Sequence, residues 1–282
     1  MIYHKLKVIK YRFTLEAIDN ISLPAYKGST FHGGFGHALM KISPTWYRYF
    51  YEPSLNNNPL PKPFVLLPPL DELEHYPKGH QFSLELTLIG DATQHHAIAQ
   101  AAIEYLGLQM GLGYEQGKYK IIDIQQSQTP QQLPQQKTPQ TIKQLTLHFP
   151  TRLRIKANNR LQKQAPSFEL LITRLIGRIK TLETAYGQDT ENNNDDTNSN
   201  KNHLELIKKV KQIKIQNSQI KWDDWDRFSG SQKKWMKFGG LIGKISYIGD
   251  ITEFMPILEL GEWLHIGNKT SFGLGKYQIK KY

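Results

Sequence analysis

The chain of 282 residues contains no cysteine, which excludes disulfides and thiolate metal sites. No apolar run approaches the roughly 20 residues that a membrane span needs. The opening MIYHKLKVIKYRF alternates like a strand and lacks the apolar core of a secretory signal. A cytoplasmic protein with no membrane partner is the simplest expectation. No HExxH, paired-carboxylate or G-x-S-x-G motif appears, which disfavours metal-assisted and serine-nucleophile chemistry. His95 and His96 adjoin in a helical pattern, but without Asp, Glu or Cys at ligand spacing they are not read as a metal site. Neither metal nor cofactor is expected. Acidic residues are also short, 25 against 36 Lys and Arg, for a net charge of +11. The excess is uneven: residues 1–150 carry 13 basic and 11 acidic side chains, residues 151–282 carry 23 and 14. A basic second half points to a polyanionic partner, nucleic acid first, although a merely soluble basic surface gives the same count.

The length suits two domains of ordinary size. QQSQTPQQLPQQKTPQ, residues 125–140, is rich in Gln and Pro, buries nothing and reads as a linker. It separates a first domain, 1–124, from a second, 141–282. GQDTENNNDDTNSNKN, residues 187–202, has no large apolar residue and reads as a disordered loop. In the first domain a strand is expected at Lys5–Ala17, a helix at Ser29–Lys41 capped by Ser29 or Thr30, and a short helix after Ser43-Pro44. QFSLELTLIG alternates as a strand, TQHHAIAQAAIEYLGLQM is amphipathic, and GKYKIIDIQ closes the domain. In the second, QLTLHFPTRLRI reads as a strand with a turn and SFELLITRLIGRIKTLETAYG as a long helix. HLELIKKVKQIKI reads as a second helix, IKWDDWDRF and KFGGLIGKISYIGD as strands, ITEFMPILELGEWLHIG as a helix and KYQIKKY as the last strand. Each half follows β-α-β-β-α-β, the order of a ferredoxin-like unit, so the expected class is α+β with two such (RRM-like) domains in tandem.

Three stretches can carry chemistry. In HIGNKTSFGLGKYQI, Gly267, Gly273 and Gly275 permit positive φ and close approach. Successive N–H groups there can form an anion nest, with Lys269 and Lys276 adding charge and Thr270 and Ser271 adding hydroxyls. A Gly-rich turn that only packs a helix on a sheet is the alternative. It is neither a Walker loop nor a dinucleotide fingerprint. In YKGSTFHGGFGHALMK, Gly33, Gly34 and Gly36 fall in the first turns of a helix, where each costs about 1 kcal/mol against alanine. Close passage of a ligand or chain segment would compensate. His37 and Lys41 share a helix face, and His32 lies on a neighbouring one. An imidazole titrates near neutrality and serves as general acid or base, while an ammonium steadies charge on a phosphate. A surface or capping role is the commoner fate of a histidine. In KWDDWDRFSGSQKKWMKFGG, Arg227, Lys233, Lys234 and Lys237 interleave with tryptophans, as in single-strand binders or in a solvated strand edge.

KGSTFHGGFGHAL resembles the glycine-bearing helix start of the CRISPR-associated repeat-cleaving endoribonucleases, the Cas6 family of the RAMP superfamily. WDDWDRFSGSQKKWMKFGGLIGKISYIGD and ILELGEWLHIGNKTSFGLGKYQI resemble that family's C-terminal domain and its signature Gly-rich loop. The resemblance implies tandem ferredoxin-like domains with RNA on a basic face. It implies metal-independent cleavage of the repeat in the precursor CRISPR transcript, by 2′-hydroxyl attack giving 2′,3′-cyclic phosphate and 5′-hydroxyl ends. On this footing His37 is the acid or base and Lys41 a charge stabiliser. His32 is the alternative, standing where many members carry a basic RNA-contacting arginine. Tyr47 and Tyr51 are candidates to orient the 2′-hydroxyl, Tyr51 standing where one branch has its histidine. The Gly-rich loop, reaching across to the first domain, would hold phosphates beside His37, and His265 would face the RNA or fix the loop. Repeat RNA is the implied partner, with CRISPR effector subunits and a second copy of the chain as further candidates. A non-catalytic guide-RNA-binding subunit of the same superfamily, and a general single-strand RNA binder, remain the competing readings.

Overall fold

The computed structural model describes residues 6–128, 141–187, 208–229 and 234–281. Residues 129–140 of the expected linker and 188–202 of the expected loop lie outside them.

The first unit runs β1 (Val8–Ala17), α1 (Gly28–Ile42), α2 (Pro44–Tyr51), β2 (Phe64–Leu67), β3 (Gln81–Ile89), α3 (His96–Tyr105) and β4 (Tyr119–Gln128). Its four strands pair antiparallel in the order β2-β3-β1-β4. The β1 residues Tyr11, Phe13 and Leu15 are buried against α1 and α3, and Arg12 and Thr14 alternate outward, as period 2 requires. The second unit repeats the order with β5 (Gln144–Leu153), α4 (Phe168–Tyr186), β6 (Lys214–Asp223), a hairpin of β7 (Asp226–Ser229) and β8 (Lys234–Lys237), β9 (Gly240–Ile248), α5 (Met255–Leu264) and β10 (Gln278–Lys281). Its sheet order is β6-β9-β5-β10, again antiparallel. In both units the first strand is central and the last joins its free side, the ferredoxin-like arrangement.

Four expectations change. Strand β4 continues to Gln128, paired through Gln125–Gln128 with Ile9–Arg12, so residues 125–128 are sheet and not linker. Helix α1 begins at Gly28, and no side chain caps it, so Ser29 and Thr30 lie inside its first turn. HLELIKKVKQIKI does not continue as helix to its end: residues 208–210 are helical and β6 starts at Lys214. Residues 214–219 of this edge strand are all exposed, so no alternation marks it in the sequence. IKWDDWDRF is broken after Asp223, where β6 ends and the hairpin begins. In the second unit Ser167 caps α4 through Leu170 N, and Leu171, Leu175 and Ile179 are buried beneath it.

The two units share buried surface. Leu6, Val8, Val65 and Ile89 of the first enter the core that Phe149, Leu175 and Leu258 form in the second. Just ahead of α1, Lys27 is fully buried and donates to Asp71 at 3.1 Å, and Tyr76 donates to the same carboxylate. This ion pair ties the entry of α1 to the segment after β2. Removing one partner strands a buried charge. Asp71→Ala is therefore expected to cost about 3 kcal/mol in urea unfolding. The double variant Lys27→Met/Asp71→Leu should recover most of it.

Candidate active site at the domain junction

The Gly-rich loop, residues 265–277, seats on α1 of the first unit. The ring of Phe272 stacks on His32 at 3.6 Å between centroids, and Ser271 Oγ lies 3.3 Å from His32 Nε2. Tyr26 donates its hydroxyl to the Phe272 carbonyl at 2.8 Å. Only glycine fits at two points of this contact. A Cβ on Gly28 would stand 2.5 Å from the Phe272 oxygen, and one on Gly273 would stand 2.9 Å from the Leu66 oxygen, at a φ of +80. The reach to the first domain is as expected. The chemistry inside the loop is not.

The loop's amides are largely used by the protein. Those of Ile266, Asn268, Phe272, Gly273 and Gly275 donate to backbone carbonyls, and that of Lys276 donates to Thr151 Oγ1. An anion nest cannot be built from these groups. Thr270 and Ser271 are buried, so their hydroxyls do not line the surface. Gly267 packs on the Arg154 carbonyl and Gly275 on the Ile266 carbonyl, both at positive φ. His265 is buried, with Nδ1 3.2 Å from the Leu274 carbonyl. Burial, followed by the charges of Lys276 and Lys10, holds its pKa well below the usual imidazole range. It is a neutral fastening of the loop and does not face a ligand. Lys276 donates to the Glu262 carbonyl, and burial with the nearby Lys10 lowers its pKa to about 8. Lys269 is exposed, its Nζ 5.9 Å from the Phe238 ring.

His32 is buried among Phe272, Phe64 and Tyr51, whose hydroxyl donates to the His32 carbonyl. Tyr47 stacks on Tyr51 at 5.2 Å. Tyr51 thus closes one side of His32 and leaves its own hydroxyl committed. His37 and Lys41 are exposed, turned around α1 from the buried His32. Gly34 and Gly36 are accounted for by protein packing, since a Cβ would meet Leu106 at 2.7 Å or the Tyr51 ring at 2.9 Å. Gly33 is not, because nothing lies within 4 Å of its Cβ position. It leaves the helix bare beside His37, where a ligand backbone can approach. Arg227 and Lys234 lie on the two strands of the β7–β8 hairpin, Lys237 is exposed at its end, and Lys233 lies outside the described residues.

The sequence reading missed Lys62. Its half-buried Nζ donates to the Tyr51 carbonyl and lies 4.8 Å from the Tyr51 ring. Burial, then the charge of Lys269, lowers its pKa to about 8 against the opposing pull of Glu52. Its backbone is fixed on both sides: Tyr186 donates to the Pro61 carbonyl and Ile89 N to the Pro63 carbonyl. A lysine so seated exchanges its proton near neutral pH and can stabilise an anion delivered between it and Lys269.

The glycines of α1 separate by test. Gly36→Ala is expected to destabilise by about 1–3 kcal/mol through overpacking on Tyr51. Gly33→Ala should stabilise by up to about 1 kcal/mol from helix propensity alone. Thermal unfolding of the two variants checks both signs.

A family model described as an N-terminal domain matches residues 6–147, and the model of the CRISPR-associated endoribonuclease Cas6 matches residues 145–277. No curated protein sequence matches significantly. Among solved structures, a Cas6 product complex is similar over 98% of this chain and 100% of that one, at 18% identity and a TM-score of 0.62. Thermus thermophilus Cas6 is similar over 98% of each chain at 14% identity and a TM-score of 0.58. A partial Cas6-RT-Cas1–Cas2 complex is similar over 100% of this chain and 47% of that one, at 13% identity and a TM-score of 0.65. The structural likenesses carry the tandem ferredoxin-like fold. The match to the CRISPR-associated endoribonuclease Cas6 family thus lies over the second unit, residues 145–277, on a chain whose fold is similar throughout to solved Cas6 structures.

Proposed function

We propose that this endoribonuclease cleaves the repeat in precursor CRISPR RNA without a metal ion. The ribose 2′-oxygen attacks the adjacent phosphorus, the bond to the 5′-oxygen breaks, and the ends are a 2′,3′-cyclic phosphate and a 5′-hydroxyl. The 2′-hydroxyl proton passes to a base, and the leaving 5′-oxygen takes a proton from an acid. The observation that carries this reading is the seat of Lys62, half-buried, held on the Tyr51 carbonyl, flanked by anchored prolines and close enough to Lys269 across the junction to feel its charge. Lys62 and Lys269 supply the positive charge that the pentacoordinate phosphate needs. His37, reached across the bare stretch at Gly33, is assigned the proton transfer, with Lys41 a turn away on the same helix. His32 is assigned to positioning, because its ring is enclosed by Phe272, Phe64 and Tyr51. Arg227, Lys233, Lys234 and Lys237 are assigned to contacts with the RNA backbone. The Cas6-RT-Cas1–Cas2 likeness makes other CRISPR proteins reasonable partners to test.

Labelled repeat RNA from the host, incubated with the protein in excess EDTA beside a 2′-deoxy substituted RNA, tests the chemistry. Cleavage in EDTA that the 2′-deoxy substitution abolishes is expected. Tight binding with intact RNA overturns the reading and favours a non-catalytic guide-binding subunit. His37→Ala should lose roughly 100-fold or more in single-turnover rate and keep its affinity. Full activity would remove His37 from the chemistry. Lys62 stabilises charge only when protonated, so the rate should fall as pH rises through about 8. Lys62→Arg, charged throughout that range, should abolish this alkaline limb. A limb that persists in the arginine variant belongs to another group.

A further inference from the structure

Two consecutive carbonyls of the Gly-rich loop are held from opposite sides. Thr151, on β5 of the second unit, donates to the Gly273 carbonyl, a contact internal to that unit. Tyr26, in the connector ahead of α1, donates to the Phe272 carbonyl across the junction. Burial pushes the pKa of the Tyr26 hydroxyl well up despite the nearby Arg152, so the group stays a donor. Its ring is braced by the Arg152 guanidinium at 5.0 Å and by the edge of Trp225 at 4.8 Å. Arg152 is in turn paired with Asp223 at 2.6 Å. The backbone of Tyr26 is fixed by its neighbour, because Lys27 is buried on Asp71 and on the Ala25 carbonyl. The connector thus grips in two directions, Lys27 into the first unit and Tyr26 onto the loop.

The Phe272 carbonyl is where such a grip matters. The Phe272 ring carries the stack on His32, and the preceding Ser271 carries the contact to His32 Nε2. His32 accepts the Tyr51 hydroxyl on its carbonyl, and Tyr51 in turn receives the Lys62 ammonium on its own carbonyl. Lys269, three residues before Phe272, bears on Lys62 from the loop side. A shift of the Phe272 peptide therefore moves both cations relative to each other.

We propose that Tyr26 is a positioning residue for phosphodiester cleavage: its hydroxyl, by holding the Phe272 carbonyl, sets the Gly-rich loop at the register in which Lys269 and Lys62 act on one phosphate. This role rests on the ribonuclease reading above. It separates rate from affinity, because the RNA-facing side chains are all retained when the hydroxyl is removed. A misplacement of about 1 Å distant from the chemistry can cost up to 100-fold in rate.

Tyr26→Phe removes one oxygen and keeps the ring between Arg152 and Trp225. At saturating repeat RNA the single-turnover rate should fall roughly tenfold. The dissociation constant should be unchanged, and the alkaline limb near pH 8 should move, because the distance from Lys269 to Lys62 helps to set it. Asp71→Asn, which loosens Lys27 and hence the Tyr26 backbone, should lower the rate in the same sense with the ring and hydroxyl intact. A lowered melting temperature in Tyr26→Phe with wild-type rate and pH profile would reduce Tyr26 to a structural tie and overturn the proposal. No cleavage by the wild-type protein would overturn the ribonuclease reading itself, and this role with it.

Discussion

The seating of the Gly-rich loop on the first turns of α1 is the constraint on which the rest depends. It is a contact between residues some 240 positions apart in the chain, Phe272 on His32 and Phe272 on Tyr26. Its closeness is set by two glycines, Gly28 and Gly273, whose missing side chains leave room for a carbonyl and a proline. Backbone conformation reinforces sterics, since Gly273 and Gly275 both sit at positive φ. Two ferredoxin-like units alone do not define a reactive site. The loop brings charge from the second unit to groups on the first.

The loop is seated in the protein largely through its own backbone amides. Its amides and hydroxyls are turned inward, onto Arg152, Arg154, Thr151 and His32, and its outward charge is a lysine side chain. That division helps so polar a segment to be buried, since the amides of Ile266, Asn268, Phe272, Gly273, Gly275 and Lys276 each find an acceptor within the protein. It also explains the neutral His265, which closes the base of the loop without bringing in a charge that burial would penalise.

The sheets were legible where one face is buried and the other is not. KYRFTLEA and QFSLELTLI alternate because a helix layer covers one side only. KIQNSQIKWD does not, since it is an edge strand with most side chains in solvent, and the preceding lysine-rich run mimics a helix. The glycines of α1 and of the terminal loop marked the junction correctly, because a helix does not carry such residues without a packing or binding reason. Which histidine faces solvent was not legible: His32 and His37 differ only by their angle around the helix, which the contact with Phe272 resolves. Lys62 was missed because PKPF lies in a proline-rich connector with no periodic pattern. Its depressed pKa comes from burial and from a lysine more than 200 residues away in sequence. A lone lysine between two prolines, just ahead of the apolar FVLL strand, is the one local sign of a fixed cation.

The central claim is that the scissile phosphate lies at this junction, between Lys62 and Lys269. The most direct measurement is the structure of the protein bound to a repeat RNA carrying a 2′-deoxy nucleotide at the cleavage site. The junction assignment predicts that phosphate in contact with the Lys62 ammonium, with the adjoining backbone passing over Gly33. A phosphate bound instead on the outer face of either sheet, with Lys62 still closed on the Tyr51 carbonyl, would contradict it.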